Sequence, residues 1–175
     1  MRAARAAGAS EGSGAGGAVA CELWRAGPRG AILVVKPLTF MNASGEALAA
    51  LARSDPFAPA DLLVICDDVN LPLGRLRVRR GGSDGGHNGL LSVSLALGTN
   101  EYPRLRLGVG PRPAGLALHD FVLGPFGADE EDSAEALVER GSDAAAAFAA
   151  RGIDAAMREF NGAPGSGDAD LDERG

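Results

Sequence analysis

The chain has 175 residues, of which 46% are hydrophobic and 23% charged, a composition typical of one globular domain. Its formal net charge of −6 argues against nonspecific binding of polyanions by the protein as a whole. No run of about 18 apolar residues and no apolar leader is present, so we predict neither a membrane span nor a secretory signal. Cys21 and Cys66 are too few for a disulfide framework, which favours two reduced, buried thiols in a cytoplasmic protein.

The first third of the chain predicts a linker, a hairpin and a helix. Residues 1–18 are rich in Ala, Gly and Ser, and are predicted to be a helix remnant followed by a flexible linker. Strands are predicted at 19–24 and 31–35, joined by a Gly-Pro turn at 27–30. Residues 44–53 have the apolar spacing of a helix.

The remaining elements alternate between strands and helices. A continuous apolar run at 62–66 predicts a buried strand of the parallel type. Further predictions are a Gly-rich loop at 81–89, helices at 90–97, 129–148 and 153–160, a strand at 105–109, and a disordered tail at 163–175. This order predicts a single α/β domain, residues 19–162, with a mixed, mostly parallel central sheet flanked by helices.

The stretch KPLTFMNASG, residues 36–45, is the first of three polar stretches that packing alone does not explain. It follows a strand and precedes a helix, where α/β proteins place ligand-binding groups. Asn42 has both a carbonyl and an NH₂ group, and is suited to bind a peptide-like substrate or a reactive water. The alternative is that Asn42 or Ser44 caps the following helix.

The second stretch begins with Asp67 and Asp68, directly after the predicted strand at 62–66. Two adjacent carboxylates can bind a metal, orient a histidine or cap a turn. Further metal ligands are scarce, so orienting an imidazole is the better chemical interpretation. An Asx-turn is the structural alternative.

The third stretch is the Gly-rich segment 81–89, which contains His87 and Asn88. Its glycines allow backbone N–H groups to line an anion site before a helix, although the Lys-Ser/Thr ending of a Walker loop is lacking. A flexible linker needs neither an imidazole nor an amide, which indicates a function for this pair.

Taken in order, KPLTFMNASG, DDVNLPLGRLRVRRGGSDGGHNGL, RLRLGVGPRP and FVLGPF resemble the bacterial peptidyl-tRNA hydrolase family, from about Val19 to Phe160. The resemblance implies hydrolysis of the ester between a peptide and the terminal ribose of tRNA, in peptidyl-tRNA released prematurely from ribosomes. It also implies a cytoplasmic monomer without metal or organic cofactor.

The resemblance assigns roles to individual residues. It implies that Asn42 positions water and peptide, with Phe40 beside it in the peptide site. It implies that Asp67 pairs with the catalytic histidine, and that His87 and Asn88 line the substrate cleft, with Asn88 contacting substrate. The catalytic set implied is therefore Asp67, Asn42 and His87. Asn70 stands where many members have a second aspartate.

Six arginines are predicted to contact phosphates of the tRNA acceptor arm and CCA end, which would give affinity without sequence readout. They are Arg75, Arg77, Arg79, Arg80, Arg104 and Arg106. The alternative is that they are solvated arginines on a strand face.

One part of the family pattern has no counterpart in this sequence. Family members carry a strand, a GLGNPG-like loop and a Thr-Arg-His-Asn segment with the general base, whereas the histidines here are His87 and His119. The first residues resemble the end of the family's first helix, so we expect a sequence truncated at its N-terminus, without the first strand and its loop. The polypeptide as given is expected to be poorly stable and nearly inactive.

The sequence leaves two other functional classes to consider. A catalytically inactive RNA-binding relative of the same fold, as in plant group II intron splicing factors, would keep the cleft and the arginines. A serine hydrolase is disfavoured because the sequence lacks a G-x-S-x-G elbow.

Overall fold

The computed structural model describes residues 21–162, which form five strands and five helices. The strands are β1 (Cys21–Ala26), β2 (Ile32–Pro37), β3 (Val64–Pro72), β4 (Leu76–Arg79) and β5 (Arg104–Gly110). The helices are α1 (Ser44–Ser54), α2 (Asn88–Leu97), α3 (Leu118–Leu123), α4 (Glu131–Arg151) and α5 (Ile153–Phe160). The α/β class predicted from the sequence is confirmed. The predicted segments 1–18 and 163–175, and the first two residues of the predicted first strand, lie outside the described residues.

The strands are divided between two sheets. Strands β1 and β2 form an antiparallel hairpin in which Cys21 pairs with Pro37 and Ala26 with Ile32, as the hairpin prediction required. The second sheet has the order β3-β5-β4. Close approach of the backbone in this sheet depends on Gly108 and Gly110, because a Cβ at either position would overlap a carbonyl oxygen of Pro72 or Val69.

The chain forms two compact units, each made of two segments. The first unit contains the described residues of Met1–Cys66 together with Arg79–Arg104. Its core is formed by Leu48, Leu90, Val93 and Tyr102. Cys21 and Cys66, predicted to be buried, are only partly buried and are not joined by a disulfide.

Within the first unit, α1 and α2 pack closely through small residues. A Cβ at Gly45 would overlap the carbonyl oxygen of Ser92 and lie 2.9 Å from the Cβ of Ala96. The backbone N–H of Gly45, at the start of α1, donates to the Ser92 hydroxyl at 2.9 Å. One helix thus supplies the hydrogen-bond acceptor that the first turn of the other helix needs.

The second unit contains Asp67–Val78 and the described residues of Leu105–Gly175. Helices α4 and α5 pack against each other, and their buried side chains are mostly alanines, consistent with the low aromatic content. The side chain of Asn161 binds the backbone of buried Val78 twice. Its Oδ1 accepts from the Val78 N–H at 2.7 Å, and its Nδ2 donates to the Val78 carbonyl at 3.1 Å.

Candidate functional site

The turn that carries Asn42 is exposed and lies between β2 and α1. Met41–Ala43 form a 3-10 turn, preceded by Phe40, whose surface is 86% exposed. Helix α1 has Ala43 at its N-cap without a side-chain cap, and the Ser44 hydroxyl instead donates to the Met41 carbonyl at 2.8 Å. The alternative in which Asn42 or Ser44 caps α1 is therefore not supported.

The start of α2 packs directly against this turn. A Cβ at Gly89 would lie 2.5 Å from the Met41 Sδ, so the absence of a side chain at Gly89 lets the methionine cover the first turn of the helix. The turn Met41–Ala43 and α2 are in contact. The first unit therefore brings the segments that carry Asn42 and Asn88 together.

His87 has a structural function that was not predicted from the sequence. It is the N-cap of α2, and its Nδ1 accepts hydrogen bonds from the backbone N–H groups of Gly89 (3.1 Å) and Leu90 (3.2 Å). An Nδ1 that accepts hydrogen bonds is unprotonated, which assigns the ring proton of the neutral imidazole to Nε2. The sequence motif gave no signal for this cap, because histidine is not among the residues preferred at the position.

Asp67 and Asp68 lie inside β3, which corrects the expectation that they follow the strand. Asp68 forms an ion pair with Arg106, with Nη1 and Oδ2 3.1 Å apart and side-chain exposures of 9% for Asp68 and 15% for Arg106. Its Oδ1 also accepts the N–H of Asn70 at 2.9 Å, so the Asx-type alternative applies to Asp68. Strand β3 extends further than predicted because a charged partner on β5 compensates the buried carboxylate.

Asp67 lines a cavity of about 310 Å³ in the second unit. The side of the cavity formed by α3 and the residues after it contributes Phe121, Val122 and Phe126, and two further carboxylates, Asp120 and Glu130, also line it. Phe121, Val122 and Phe126 belong to the FVLGPF motif, and Asp120 directly precedes that motif. The cavity therefore combines an apolar wall with carboxylates, a lining in which a carboxylate can orient a cationic or N–H-bearing group.

The predicted phosphate-binding arginines fall into three groups. Arg75, Arg77, Arg79 and Arg80 are exposed. In β4, exposed Arg77 and Arg79 alternate with buried Leu76 and Val78, so both arginines lie on one face of the strand. Arg106 is in the ion pair with Asp68 described above.

Arg104 does not fit the prediction of a phosphate contact. It is 1% exposed, and its guanidinium donates to the carbonyls of Ser83 (2.7 Å) and Asn100 (2.8 Å). Its burial was not visible in the sequence, because the alternating pattern RLRL does not distinguish which face of the strand is covered. Arg104 is therefore not part of the candidate RNA-binding surface.

Two general features of residues 21–162 bear on the type of site. No group of three or more His, Cys, Asp or Glu side chains in this part of the chain is placed to hold a metal ion. None of the helices described there has the length and apolar character needed to cross a membrane.

Comparison with known proteins gives one family. A sequence model of peptidyl-tRNA hydrolases matches residues 8–168. The peptidyl-tRNA hydrolase of Symbiobacterium thermophilum is 48% identical over 130 residues, which cover 74% of this chain and 69% of that protein. That of Chlorobaculum parvum is 46% identical over 132 residues, with the same coverage.

Solved structures agree with the sequence comparison. The crystal structure of peptidyl-tRNA hydrolase from Acinetobacter baumannii matches with a TM-score of 0.78, covering 90% of this chain and 80% of that one. At 24% identity this match concerns the fold. A peptidyl-tRNA hydrolase in complex with N-propanol matches with a TM-score of 0.70 at 25% identity, covering 81% of this chain and 72% of the other. With its sequence motifs, its fold and these relatives in agreement, the chain belongs to the peptidyl-tRNA hydrolase family.

Proposed function

We propose that this protein is a peptidyl-tRNA hydrolase, which cleaves the ester between a peptide and the terminal ribose of tRNA. The observation that carries the proposal is the family match over residues 8–168, which includes the turn with Asn42 and the helix start with Asn88. The substrate is peptidyl-tRNA, recognised through the acceptor arm and the CCA end. The protein acts as a monomer in the cytoplasm, where such substrates arise.

The proposed division of labour in the first unit follows from chemistry and exposure. Asn42 is exposed and can donate to a peptide carbonyl or accept from the attacking water. Phe40, also exposed, offers an apolar surface to the peptide side chains. Asn88 is exposed at the first position of α2 and contacts substrate from there.

His87 was predicted to be catalytic, and its geometry favours a positioning role. Its Nδ1 is used by the N–H groups of Gly89 and Leu90, so the ring cannot accept a proton at Nδ1 without losing the helix cap. We therefore assign to His87 the task of fixing the start of α2, and with it the direction of Asn88.

Asp67 is proposed to occupy the position of the carboxylate that orients the family's general-base imidazole, a histidine that has no counterpart in this sequence. A carboxylate beside an imidazole fixes its tautomer and stabilises the imidazolium that forms when water is deprotonated. The cavity next to Asp67 provides an apolar wall, which strengthens such an electrostatic interaction.

RNA binding is assigned to the exposed arginines of β4 and its flanks, at positions 75, 77, 79 and 80. The net charge of −6 makes nonspecific binding over the whole surface unfavourable, so affinity must come from this local group. Contacts to phosphates carry no sequence information, as an enzyme that serves many tRNAs requires.

The test is an assay of the purified 175-residue chain with tRNA that carries an N-acetylated amino acid. Hydrolysis is followed by release of the labelled acyl group, and binding by fluorescence anisotropy with the same tRNA. We expect slow release that falls further in Asn42→Ala, without a change in melting temperature. Tight binding without any release would instead support the inactive RNA-binding relative, and neither binding nor release would overturn both.

A further inference from the structure

Arg104 is a buried cation held by backbone carbonyls. Its Nη1 donates to the Ser83 carbonyl at 2.7 Å and its Nη2 to the Asn100 carbonyl at 2.8 Å. The guanidinium carbon lies 4.3 Å from the centre of the Tyr102 ring, and Nε is buried without a hydrogen-bond partner. Among residues 21–162, no carboxylate forms an ion pair with it.

Burying a guanidinium without a carboxylate partner costs free energy, so we ask which segments the guanidinium holds in place. Removing a guanidinium from water without a paired carboxylate is unfavourable, and two carbonyls with one ring compensate it only in part. The planar fork of arginine is suited to bridge two acceptors at once, whereas an ammonium group is not. The two carbonyls belong to the segments on either side of α2.

The segment before α2 is the Gly-rich loop, which has little intrinsic order. Gly82, Gly85 and Gly86 adopt positive φ angles of 130°, 63° and 83°, a region that glycine adopts without steric penalty. The Gly82 N–H donates to the Asn100 carbonyl at 3.1 Å, the same carbonyl that receives Nη2 of Arg104. The loop is thus attached to the segment after α2 at two neighbouring points.

The ring that stacks on Arg104 also holds the start of α2. The Tyr102 hydroxyl donates to the Leu90 carbonyl at 3.0 Å and lies 3.1 Å from the Ser94 hydroxyl. Tyr102 is completely buried, so its position is fixed by the core. Arg104 therefore contacts the loop, and Tyr102 contacts α2. His87 and Asn88 lie where the loop joins the helix.

We infer that Arg104 is a positioning residue for substrate recognition: by clamping the carbonyls of Ser83 and Asn100, it fixes the loop that presents His87 and Asn88. This inference rests on the proposed function for the ligand, which is the acyl-bearing 3′ end of tRNA. It replaces the phosphate contact that the sequence predicted for Arg104. Arg104 is buried and does not touch the substrate, so its effect on binding of the acyl end is indirect.

The experiment compares two probes that differ only at the 3′ end. One is an RNA minihelix ending in CCA with an N-acetylated amino acid joined through a stable amide, and the other is the same RNA with a free 3′-hydroxyl. Arg104→Lys keeps the charge but loses the bridging fork. We expect it to lose about tenfold in affinity for the acylated probe, and to bind the free RNA unchanged. Arg53→Gln, an exposed arginine at the end of α1, is the matched control.

A second variant, Gly81→Ala, and hydrogen exchange test the same inference. Gly81→Ala leaves Arg104 intact, but its Cβ would lie 2.9 Å from the Asn100 carbonyl, so the loop must shift. It should show the same selective loss. In the absence of RNA, hydrogen exchange at the amides of Gly82 and His87 should accelerate about tenfold in Arg104→Lys, while exchange in β1 and β2 stays unchanged.

The outcomes separate this inference from the proposed function. If the unmodified protein does not distinguish the two probes, the proposed function fails, and the hydrogen-exchange result alone decides about Arg104. If the unmodified protein prefers the acylated probe and Arg104→Lys keeps that preference, Arg104 has no positioning role. Equal weakening for both probes would likewise overturn the inference, because it would indicate general destabilisation.

Discussion

Asp67 and Asp68 are neighbours in β3, yet they have different surroundings. Asp68 is nearly buried in its ion pair with Arg106, whereas Asp67 lines the cavity of the second unit. Because side chains alternate along a strand, two adjacent carboxylates face opposite sides of the sheet. The sequence motif showed the pair but not which member is structural, since Arg106 lies 38 residues further along the chain.

The ion pair between Asp68 and Arg106 should contribute to stability. Asp68→Asn removes the negative charge 3.1 Å from the Arg106 guanidinium, in a pair whose side chains are only 9% and 15% exposed, and should lower the free energy of unfolding by about 1–3 kcal/mol. Urea denaturation measures the change. Lys36→Gln is the control, because its ion pair with Glu22 is 43% exposed on both sides and should contribute less than about 1 kcal/mol. Equal losses in the two variants would contradict the assignment.

At the scale of secondary structure, helices were predicted more accurately than strand ends. Helices α1, α2, α4 and α5 were found within a few residues of the predicted bounds, because apolar periodicity is a local signal, whereas no bounds were predicted for the short helix α3. Strand β3 was predicted to end at Cys66 and continues to Pro72, because its charged residues are compensated by a partner that the local sequence does not reveal. The burial of Arg104 was missed because the alternation RLRL does not show which face of the strand is covered.

The close packing of α1 on α2 requires that residue 45 has no side chain, which a substitution of Gly45 can test. Gly45→Ala places a methyl group against the Ser92 carbonyl, so the helices must separate, which should lower the free energy of unfolding by about 1–3 kcal/mol. Gly141→Ala, also within a helix, is the matched control. Its Cβ would meet only the movable methyl groups of Leu107, at 3.1 and 3.7 Å, and the higher helix propensity of alanine offsets this contact. Thermal unfolding of both variants measures the difference, and we expect the lower melting temperature for Gly45→Ala. Similar melting temperatures would contradict the close packing of α1 on α2 at Gly45.

The exposed face of β4 should contribute to RNA affinity in a salt-dependent way. Arg77→Gln removes one phosphate contact, which should weaken binding of a tRNA minihelix and reduce the slope of log affinity against log salt by about 1. Anisotropy titrations at several salt concentrations provide the slope. Arg53→Gln should leave it unchanged, and an unaltered slope in Arg77→Gln would place the RNA elsewhere.

For the molecule as a whole, the family assignment and the catalytic rate are separate questions. The resemblance implies a general-base histidine in a segment that this sequence does not match, and its two histidines are His87 and His119. His87 caps α2, and His119 lies beside Asp120 at 3.3 Å on the exposed start of α3. Family membership follows from the match over residues 8–168 and from the relatives, whereas the rate depends on proton transfer.

We therefore expect the 175-residue chain to hydrolyse N-acetyl-aminoacyl-tRNA about 10²–10⁴ times more slowly than the Symbiobacterium thermophilum relative. Both proteins are assayed side by side under single-turnover conditions, so that binding and chemistry are measured separately. Comparable binding with slower chemistry is the expected result. Equal rates would show that another group of this chain acts as the base.

The two hydrogen bonds between Asn161 and Val78 have a consequence for solubility. Strand β4 is one of the two edges of its sheet among the described strands, and an edge with unpaired backbone groups can recruit a second chain and begin aggregation. The amide of Asn161 occupies both backbone groups of Val78, and so acts as a one-residue stop to sheet growth. Asn161→Ala should therefore increase light scattering of concentrated solutions during storage, whereas RNA binding of the fresh protein stays unchanged. A variant whose solution stays clear would show that this edge is protected by other means.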